Sequence, residues 1–391
     1  MAIRILSVDD ELDMETLITQ LFRKQIREKK YEFIFANNGI EALDKLDEVG
    51  EVDLILSDIN MPGMDGLTLL AKINEKNKPY LKAIMVSAYG DMDNIRTAMN
   101  RGAFDFITKP VNFEDLEITI NKTVEHIEML SSLEQGRLQL MALQNDLNVA
   151  KEIQLSMLPK TVPPAFAEVG VDLHAFIHPA KVVGGDLFDY HIMDAERVFF
   201  MIGDVSDKGI PAALFMAITK AIFKSQFCNK IQDTLCEKVN IINAFLSEDN
   251  SSFMFVTAWI GILNIKTGVV EYVDAGHEPP VIIRADGSVE LVKKHGGMAL
   301  CIDGDFDYTS QTLTLSAGDR LVLYTDGVTD ANNLSGERYG LNLLQEFYAQ
   351  RNFSTAQEIN EATLATLIQF MGAASQFDDI TMLTLGYTGT V

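Results

Sequence analysis

Short apolar runs alternate with amphipathic stretches over residues 3–108. The apolar runs are IRILSV, YEFIFA, VDLILS, KAIMVS and DFIT, and the stretches between them carry apolar residues at helical spacing. Uninterrupted apolar strands that alternate with helices are typical of a parallel sheet covered on both faces. The pattern therefore predicts a doubly wound α/β domain over residues 1–122.

After this domain the spacing of the apolar residues changes. Apolar residues recur at steps of three and four, and no proline interrupts them between residues 113 and 158. This spacing predicts a long helix, assigned here as a linker over residues 123–160 with a coiled-coil seam. The seam residues are Leu140, Leu143, Leu147, Ala150, Ile153 or Gln154, and Met157. We expect a parallel homodimer through this seam, after a hinge or stutter at Gly136. The alternative, a single helix packed on a domain, is favoured for residues 116–127.

Strand-like runs predominate over residues 161–391, for example RVFFMIGDV, VTAWIGILNI and ITMLTL. Two pairs of helical blocks interrupt them, near 210–228 with 233–248 and near 337–350 with 355–371. Strands grouped around helix pairs predict an α+β domain, a β-sandwich with helices outside.

Composition narrows the classes of partner. The net charge is −24, so neither nucleic acid nor an anionic membrane is an expected partner. Three cysteines without CxxC spacing indicate neither a zinc site nor a disulfide framework. No signal peptide and no membrane-spanning apolar stretch is recognisable, which predicts a cytoplasmic protein. No GxxxxGK[ST] motif occurs, so ATP is not an expected substrate.

Polar residues stand at the ends of four of the predicted parallel strands. They are Asp9, Asp10, Asp58, Ser87 and Lys109. The working site of such a sheet lies at the carboxyl ends of its strands, so these side chains are expected to converge. Three carboxylates suit a Mg²⁺ ion, and one of them is then able to attack a phosphoryl group. Taken singly, the acids after the first strand are more simply explained as the start of a helix.

This first region resembles a response-regulator receiver domain. The resemblance rests on DD at 9–10, DINMPGMDG at 58–66, SA at 87–88 and KP at 109–110. It implies Asp58 as the phosphoacceptor, Asp9, Asp10, Asp58 and the Asn60 carbonyl as Mg²⁺ ligands, and Ser87 and Lys109 as contacts of the phosphoryl group. It also implies a cis Lys109–Pro110 bond and a histidine kinase or phosphotransfer protein as partner. Phe106 matches the switch aromatic of the family, and an ordinary strand residue is an equal alternative.

A second acidic set lies in the C-terminal region. Asp186, Asp204, Asp326 and Asp378 each stand near the end of a short apolar run. Each alone is explained as a turn residue, a helix cap or a solvated loop. Four carboxylates brought together instead favour two divalent metal ions bound through oxygen.

The C-terminal region resembles the PP2C-type metal-dependent protein phosphatases, in the bacterial branch that regulates sigma factors. The motifs are AKEIQLSMLP at 150–159, GGD at 184–186, GDVSDKG at 203–209, AGHEPP at 275–280, YTDGVTDA at 324–331 and DDIT at 378–381. The resemblance implies that Asp186, Asp204, the Val205 carbonyl, Asp326 and Asp378 bind two Mn²⁺ or Mg²⁺ ions. No basic residue is obviously placed to clamp a phosphate. His277 is expected to stabilise a turn rather than act as an acid.

The two resemblances together predict a response regulator in which phosphorylation of Asp58 controls a serine/threonine phosphatase. Its implied substrate is a phosphorylated anti-sigma-factor antagonist or a similar regulator. The alternative is a non-catalytic adaptor that binds a sigma or anti-sigma factor, and the presence of all four aspartates favours the enzyme. A DNA-binding regulator is not supported, because there is no basic recognition helix.

Overall fold

A computed structural model describes residues 2–76, 78, 80–88, 91–228, 233–248, 250–294 and 296–389. The chain divides into two compact units, Met1–Leu143 and Gln144–Val391. None of the helices in the described part of the chain combines the length and the apolar character that crossing a bilayer requires.

The first unit contains a parallel five-stranded sheet, as the sequence pattern predicts. Its elements before the long helix are β1 (Ile3–Val8), α1 (Leu12–Leu21), α2 (Arg23–Arg27), β2 (Tyr31–Ala36), α3 (Gly39–Val49), β3 (Leu54–Asp58), α4 (Gly66–Glu75), β4 (Lys82–Ala88), α5 (Met92–Asn100) and β5 (Asp105–Lys109). The strand order is β2-β1-β3-β4-β5, and all of the pairings are parallel.

Each face of this sheet has its own core, because successive side chains of a strand point to opposite faces. Leu6 and Ile55 belong to one buried cluster, and Ile5 and Leu54 belong to the other. The strands are therefore apolar throughout, and this sequence signal distinguishes a sheet covered on both faces from a half-exposed one.

A single helix, α6 (Phe113–Met157), joins the two units. Its first turns belong to the first unit, where Leu116, Ile120, Val124 and Ile127 are buried against the sheet. The helix passes through Gly136 without a break, so the interruption expected there is not present in the backbone. Apolar side chains of the predicted seam are exposed, among them Leu140 at 69% and Leu143 at 54%.

The second unit is an antiparallel sandwich with helices outside. Its elements after α6 are α7 (Ala165–Glu168), β6 (Val171–His178), β7 (Leu187–Ile192), β8 (Arg197–Val205), α8 (Ile210–Cys228), α9 (Leu235–Glu248), β9 (Val256–Asn264), β10 (Val269–Ala275), β11 (Val281–Ile283), β12 (Val289–Leu291), β13 (Gln311–Thr314), β14 (Arg320–Tyr324), α10 (Asp326–Thr329), α11 (Gly340–Ala349), α12 (Ala356–Met371) and β15 (Ile380–Tyr387). The two sheets have the orders β13-β10-β9-β8-β7 and β12-β11-β14-β15-β6.

One large core joins the two sheets to the helices α8 and α9, and it includes Trp259 of one sheet, Leu323 and Leu383 of the other, and Phe227 of α8. The helices α8 and α9 contact the first sheet, and α12 contacts β6 and β15 of the second. The predicted α+β layering is confirmed. The sequence pattern does not predict the strands β7, β12 and β13, because they are short and mix polar with apolar residues.

Candidate active sites of the two units

Three carboxylates meet at the carboxyl ends of β1 and β3. Asp9 and Asp10 follow β1, and Asp58 is the last residue of β3. One carboxylate oxygen of each lies within 4.8 Å of those of the other two. Oxygen atoms in this arrangement are the donors that a hard divalent cation such as Mg²⁺ prefers, so the residues fit the ion implied by the resemblance.

Lys109, the last residue of β5, brings a positive charge to this acidic pocket. Its Nζ lies 2.6 Å from Asp58 Oδ2, 3.1 Å from Asp9 Oδ2 and 3.2 Å from Glu11 Oε1. Burial lowers the pKa of Lys109, but the hydrogen bonds to Asp58 and Asp9 outweigh that effect and the pKa rises. The ammonium group is therefore charged, and it stabilises negative charge on Asp58.

The remaining residues of this set lie on β4 and β5 or just after β3. Ser87 on β4 is fully buried, and its Oγ has no hydrogen-bond partner among the described residues. The Asn60 backbone N–H donates to Asp58 Oδ1 over 3.0 Å. Phe106 on β5 is 37% exposed, and the Lys109–Pro110 bond is cis. The hydroxyl of Ser87 is therefore a buried polar group whose hydrogen-bonding capacity is unused within the described part of the chain.

The aspartates of the second unit come from four separate places in the sandwich. Asp186 precedes β7, Asp204 is in β8, Asp326 begins α10 and Asp378 precedes β15. Asp186 is buried, and one of its oxygens accepts a hydrogen bond of 2.8 Å from the Thr325 hydroxyl. Among the described residues, no three acids of this unit have ligand atoms within 4.8 Å of one another.

These aspartates nevertheless influence one another strongly. Burial, followed by repulsion from Asp204, raises the pKa of Asp186 well above its usual value. Burial and then repulsion from Asp326 raise the pKa of Asp204 to about 7. Burial and then the charge of Asp378 raise the pKa of Asp326 to about 6. A set of buried and partly buried carboxylates that repel one another fits divalent cations, because each cation would neutralise the charge that burial makes unfavourable.

A fifth aspartate, Asp379, organises the loop that carries Asp186. One oxygen of its carboxylate accepts a hydrogen bond of 2.8 Å from the Ala180 N–H, and the other accepts one of 3.1 Å from the Gly185 N–H. A Cβ atom on Gly184 would lie only 1.8 Å from the Asp379 carboxylate. The glycine pair before Asp186 is therefore required by close packing. The GGD motif drew attention to this loop in the sequence. Its contact with Asp379 was not predictable from the motif, because Asp379 is distant in the chain.

Lys208 is the cationic residue that the sequence reasoning missed. Its Nζ lies 2.7 Å from Asp378 Oδ2, donates to the Phe377 carbonyl over 2.8 Å, and stands 3.8 Å from the centre of the Phe377 ring. Lys208 also lines a small pocket together with Asp204 and Asp378. The sequence showed no basic residue obviously placed to clamp a phosphate, and the structure places Lys208 beside one carboxylate of the acidic set. The sequence could have indicated this lysine, because Lys208 lies within the GDVSDKG motif that also contains Asp204.

Other polar residues near the motifs have structural partners. His277 is buried, its Nδ1 is 2.9 Å from the Thr257 hydroxyl, and burial lowers its pKa to about 4. A histidine that is neutral at pH 7 is a poor general acid, which agrees with the turn-stabilising role expected for it. Asp189 pairs with the buried Lys220, and Asp330 pairs with Arg338.

The first unit has the fold and the acidic pocket of a receiver domain, and the second has the two-sheet architecture of a PP2C-type domain. Residues 5–121 match the family described as response regulator receiver domain, and residues 194–388 match the family described as Stage II sporulation protein E (SpoIIE). The chain therefore belongs to the response regulators and carries a SpoIIE domain of the PP2C type.

Three relatives each match a part of the chain. Phosphoserine phosphatase RsbU of Bacillus subtilis is 29% identical over 62% of this chain and 70% of its own length. Protein IcfG of Synechocystis is 29% identical over 61% of this chain, which spans only 41% of that relative. Chemotaxis protein CheY of Listeria monocytogenes is 41% identical over 28% of this chain and 87% of its own length.

Solved structures agree with the fold of the second unit. The SiaA-PP2C domain of Pseudomonas aeruginosa superposes with a TM-score of 0.56 at 22% identity, covering 64% of this chain and 98% of that domain. The PP2C phosphatase domain of SpoIIE from Bacillus subtilis gives a TM-score of 0.50 at 19% identity, covering 55% of this chain and 63% of that one.

Proposed function

We propose that this protein is a response regulator whose phosphorylation at Asp58 controls a metal-dependent protein serine/threonine phosphatase. The observation that carries the proposal is that one chain contains two acidic sites. One lies next to Lys109, and the other is formed by buried and partly buried aspartates that repel one another. Each site suits phosphoryl chemistry with a divalent cation.

In the receiver, Asp58 is the proposed phosphoacceptor. A Mg²⁺ ion held by Asp9, Asp10, Asp58 and the Asn60 carbonyl would neutralise charge on the phosphoryl oxygens. Lys109 already lies 2.6 Å from the Asp58 carboxylate, so it is positioned to bind an oxygen of the group transferred there. The hydroxyl of Ser87, which has no hydrogen-bond partner among the described residues, would donate to another such oxygen. The donor of the phosphoryl group would be a histidine kinase or a phosphotransfer protein.

In the second unit, Asp186, Asp204, Asp326, Asp378 and the Val205 carbonyl are the proposed ligands of two Mn²⁺ or Mg²⁺ ions. When bound, these ions would supply an activated water and neutralise a phosphoryl group. The Thr325 hydroxyl orients the Asp186 carboxylate by its 2.8 Å hydrogen bond. Lys208 stands beside Asp378 and would offer its ammonium group to the substrate phosphate once a cation replaces it as the partner of that carboxylate.

The proposed substrate is a phosphoserine or phosphothreonine in a regulatory protein, in the first instance an anti-sigma-factor antagonist. The similarity to a phosphoserine phosphatase over 70% of that relative supports this choice. The exposed seam of α6, including Leu140 and Leu143, supports a homodimer through the linker, which would carry the signal from the receiver. The competing hypothesis remains an adaptor without catalysis, which binds a sigma or anti-sigma factor.

The experiment that tests the function measures hydrolysis of a small aryl phosphate by the full chain with Mn²⁺. Wild type is compared with Asp204→Asn, and with Asp305→Asn as a matched control, since Asp305 is an exposed aspartate of the same unit. The proposal expects Mn²⁺-dependent turnover in wild type and in the control but not in Asp204→Asn. Failure of the second unit to bind Mn²⁺ would favour the adaptor.

Control by the receiver is tested in the same assay with beryllofluoride, which mimics a phosphoryl group on aspartate. The proposal expects beryllofluoride to change the turnover of wild type and of Asp44→Asn, an exposed control, and to leave Asp58→Asn unaffected. An equal change of turnover in Asp58→Asn would show that beryllofluoride does not act through Asp58.

A further inference from the structure

Gln154 is a buried polar residue at the end of helix α6. Its side chain is only 8% exposed, although it belongs to the row of residues first assigned to the coiled-coil seam. Its Nε2 donates to the Gly184 carbonyl over 2.6 Å, and its Oε1 accepts from the Gly184 N–H over 3.2 Å. One amide side chain therefore satisfies both backbone polar groups of a single residue.

Gly184 lies two residues before Asp186 in the chain. The next residue, Gly185, donates its N–H to Asp379, and a Cβ atom there would lie 2.7 Å from the Val205 carbonyl oxygen. The segment from Gly184 to Asp186 is thus bound by hydrogen bonds to Gln154 and to Asp379, and it packs closely against the Val205 carbonyl. A displacement of the Gln154 side chain would either break its two hydrogen bonds or move this segment.

The rest of the helix end offers mostly apolar contacts. Leu158 is buried in the core of the second unit and Leu155 packs against that core, whereas Ile153 is 60% exposed. Met157 and Leu158 also line a cavity of about 360 Å³, so the last turn borders open space. Apolar contacts are non-directional, whereas paired hydrogen bonds specify a position. Gln154 is accordingly the residue of this turn that makes directional contact with the loop before Asp186.

We propose that Gln154 is a positioning residue that couples the end of helix α6 to the Gly184–Asp186 segment and so sets the position of the Asp186 carboxylate. The inference rests on the proposed function in one respect, the role of Asp186 as a metal ligand. Residues that orient metal ligands typically change metal affinity by about 10- to 100-fold when they are replaced.

The test compares Gln154→Ala and Gln154→Glu with wild type in the full chain. Glutamate keeps the volume and an acceptor for the Gly184 N–H, but it places a carboxylate oxygen against the Gly184 carbonyl. Gln139→Ala is the matched control, because Gln139 is an exposed glutamine of the same helix. All proteins carry Asp10→Asn in addition, so that the receiver site contributes little to Mn²⁺ binding.

Two quantities are measured: hydrogen–deuterium exchange of peptides that cover residues 180–190, and the Mn²⁺ dissociation constant by calorimetry. We expect both Gln154 variants to exchange at least about 10-fold faster at these peptides and to bind Mn²⁺ about 10-fold more weakly. The Gln139→Ala control is expected to match wild type in both measurements. Exchange is read out without any hydrolysis, so an inactive wild type would refute the proposed function and leave this inference testable.

Two results would overturn the inference. The first is unchanged exchange over residues 180–190 together with unchanged Mn²⁺ affinity in both Gln154 variants. The second is faster exchange throughout residues 144–391 in both variants, since Gln154 would then support the folding of the whole unit rather than position one loop.

Discussion

Lys208 Nζ and Asp378 Oδ2 are 2.7 Å apart at the acidic end of the sandwich. The lysine is therefore the cationic partner of a carboxylate that we assign to metal binding. The two roles are compatible if the metal displaces the lysine and the lysine then meets the substrate. This relationship leads to a prediction about substrate binding.

Replacing Lys208 by alanine is expected to raise the KM for an aryl phosphate about 10-fold, because a charge-assisted hydrogen bond to the phosphate is lost. Lys208→Arg should retain most of the affinity, and Lys160→Ala, at an exposed lysine of the same unit, should have no effect. Steady-state kinetics at saturating Mn²⁺ measures the change. An unchanged KM in Lys208→Ala would show that Lys208 does not bind the substrate phosphate and only contacts Asp378 and Phe377.

The raised pKa of Asp204 predicts a specific dependence of stability on pH. A carboxyl group whose pKa is about 7 in the folded protein and near 3.8 when unfolded binds more protons in the folded state between these values. In the absence of metal, the contribution of Asp204 to the free energy of unfolding therefore falls as pH rises from about 4 to about 7, by on the order of 1 kcal/mol per pH unit at most.

Urea unfolding of the metal-free protein at several pH values measures this effect. The difference in unfolding free energy between Asp204→Asn and wild type should increase toward pH 7, since asparagine carries no charge to bury. Addition of Mn²⁺ should stabilise wild type more than the variant at pH 7. A difference that is constant over this pH range would contradict the assigned burial of Asp204.

The exposed apolar seam of α6 predicts self-association. Leu143→Lys places a charge at the seam and is expected to shift the full chain from dimer to monomer in sedimentation velocity at micromolar concentration. Asn145→Lys, outside the seam on the same helix, is the control and should remain dimeric. A wild-type protein that sediments as a monomer would remove the linker dimer from the proposal.

Gly136 lies in a helix, and a Cβ atom there would meet no atom within 4 Å apart from its chain neighbours and the adjacent backbone of its own helix. Gly136→Ala should therefore stabilise α6 by about 1 kcal/mol, the difference in helix propensity. Gly50 has equally open surroundings but a φ of +79°, so Gly50→Ala should destabilise the first unit by about 1 kcal/mol. Helix content and thermal unfolding by circular dichroism measure both. A clear rise in helix content in Gly136→Ala would restore the hinge interpretation, because a helix that is already continuous has no helical residues to gain there.

The period of the apolar residues was sufficient to predict the layers of both units. Continuous apolar strands predicted the parallel sheet with a core on each face, and this prediction is confirmed by clusters that divide Ile5 from Leu6. The short strand β7 was not predicted, because it mixes His191 and Asp189 with apolar residues and becomes a strand by pairing with β8. Pairing of that kind is a tertiary property that no local pattern records.

The sequence by itself determined the two folds and the aspartates that stand near strand ends, since these follow from apolar period and from motif spacing. Only the tertiary structure decided which side chains meet: Lys208 with Asp378, Asp379 with the GGD loop, and Gln154 with Gly184. Gln154 illustrates the difference. Helical spacing offered Ile153 or Gln154 as the seam residue, whereas packing buried Gln154 against a loop 30 residues away. Contacts between distant segments depend on how the sheets and helices pack in three dimensions, and one-dimensional spacing carries no information about that packing.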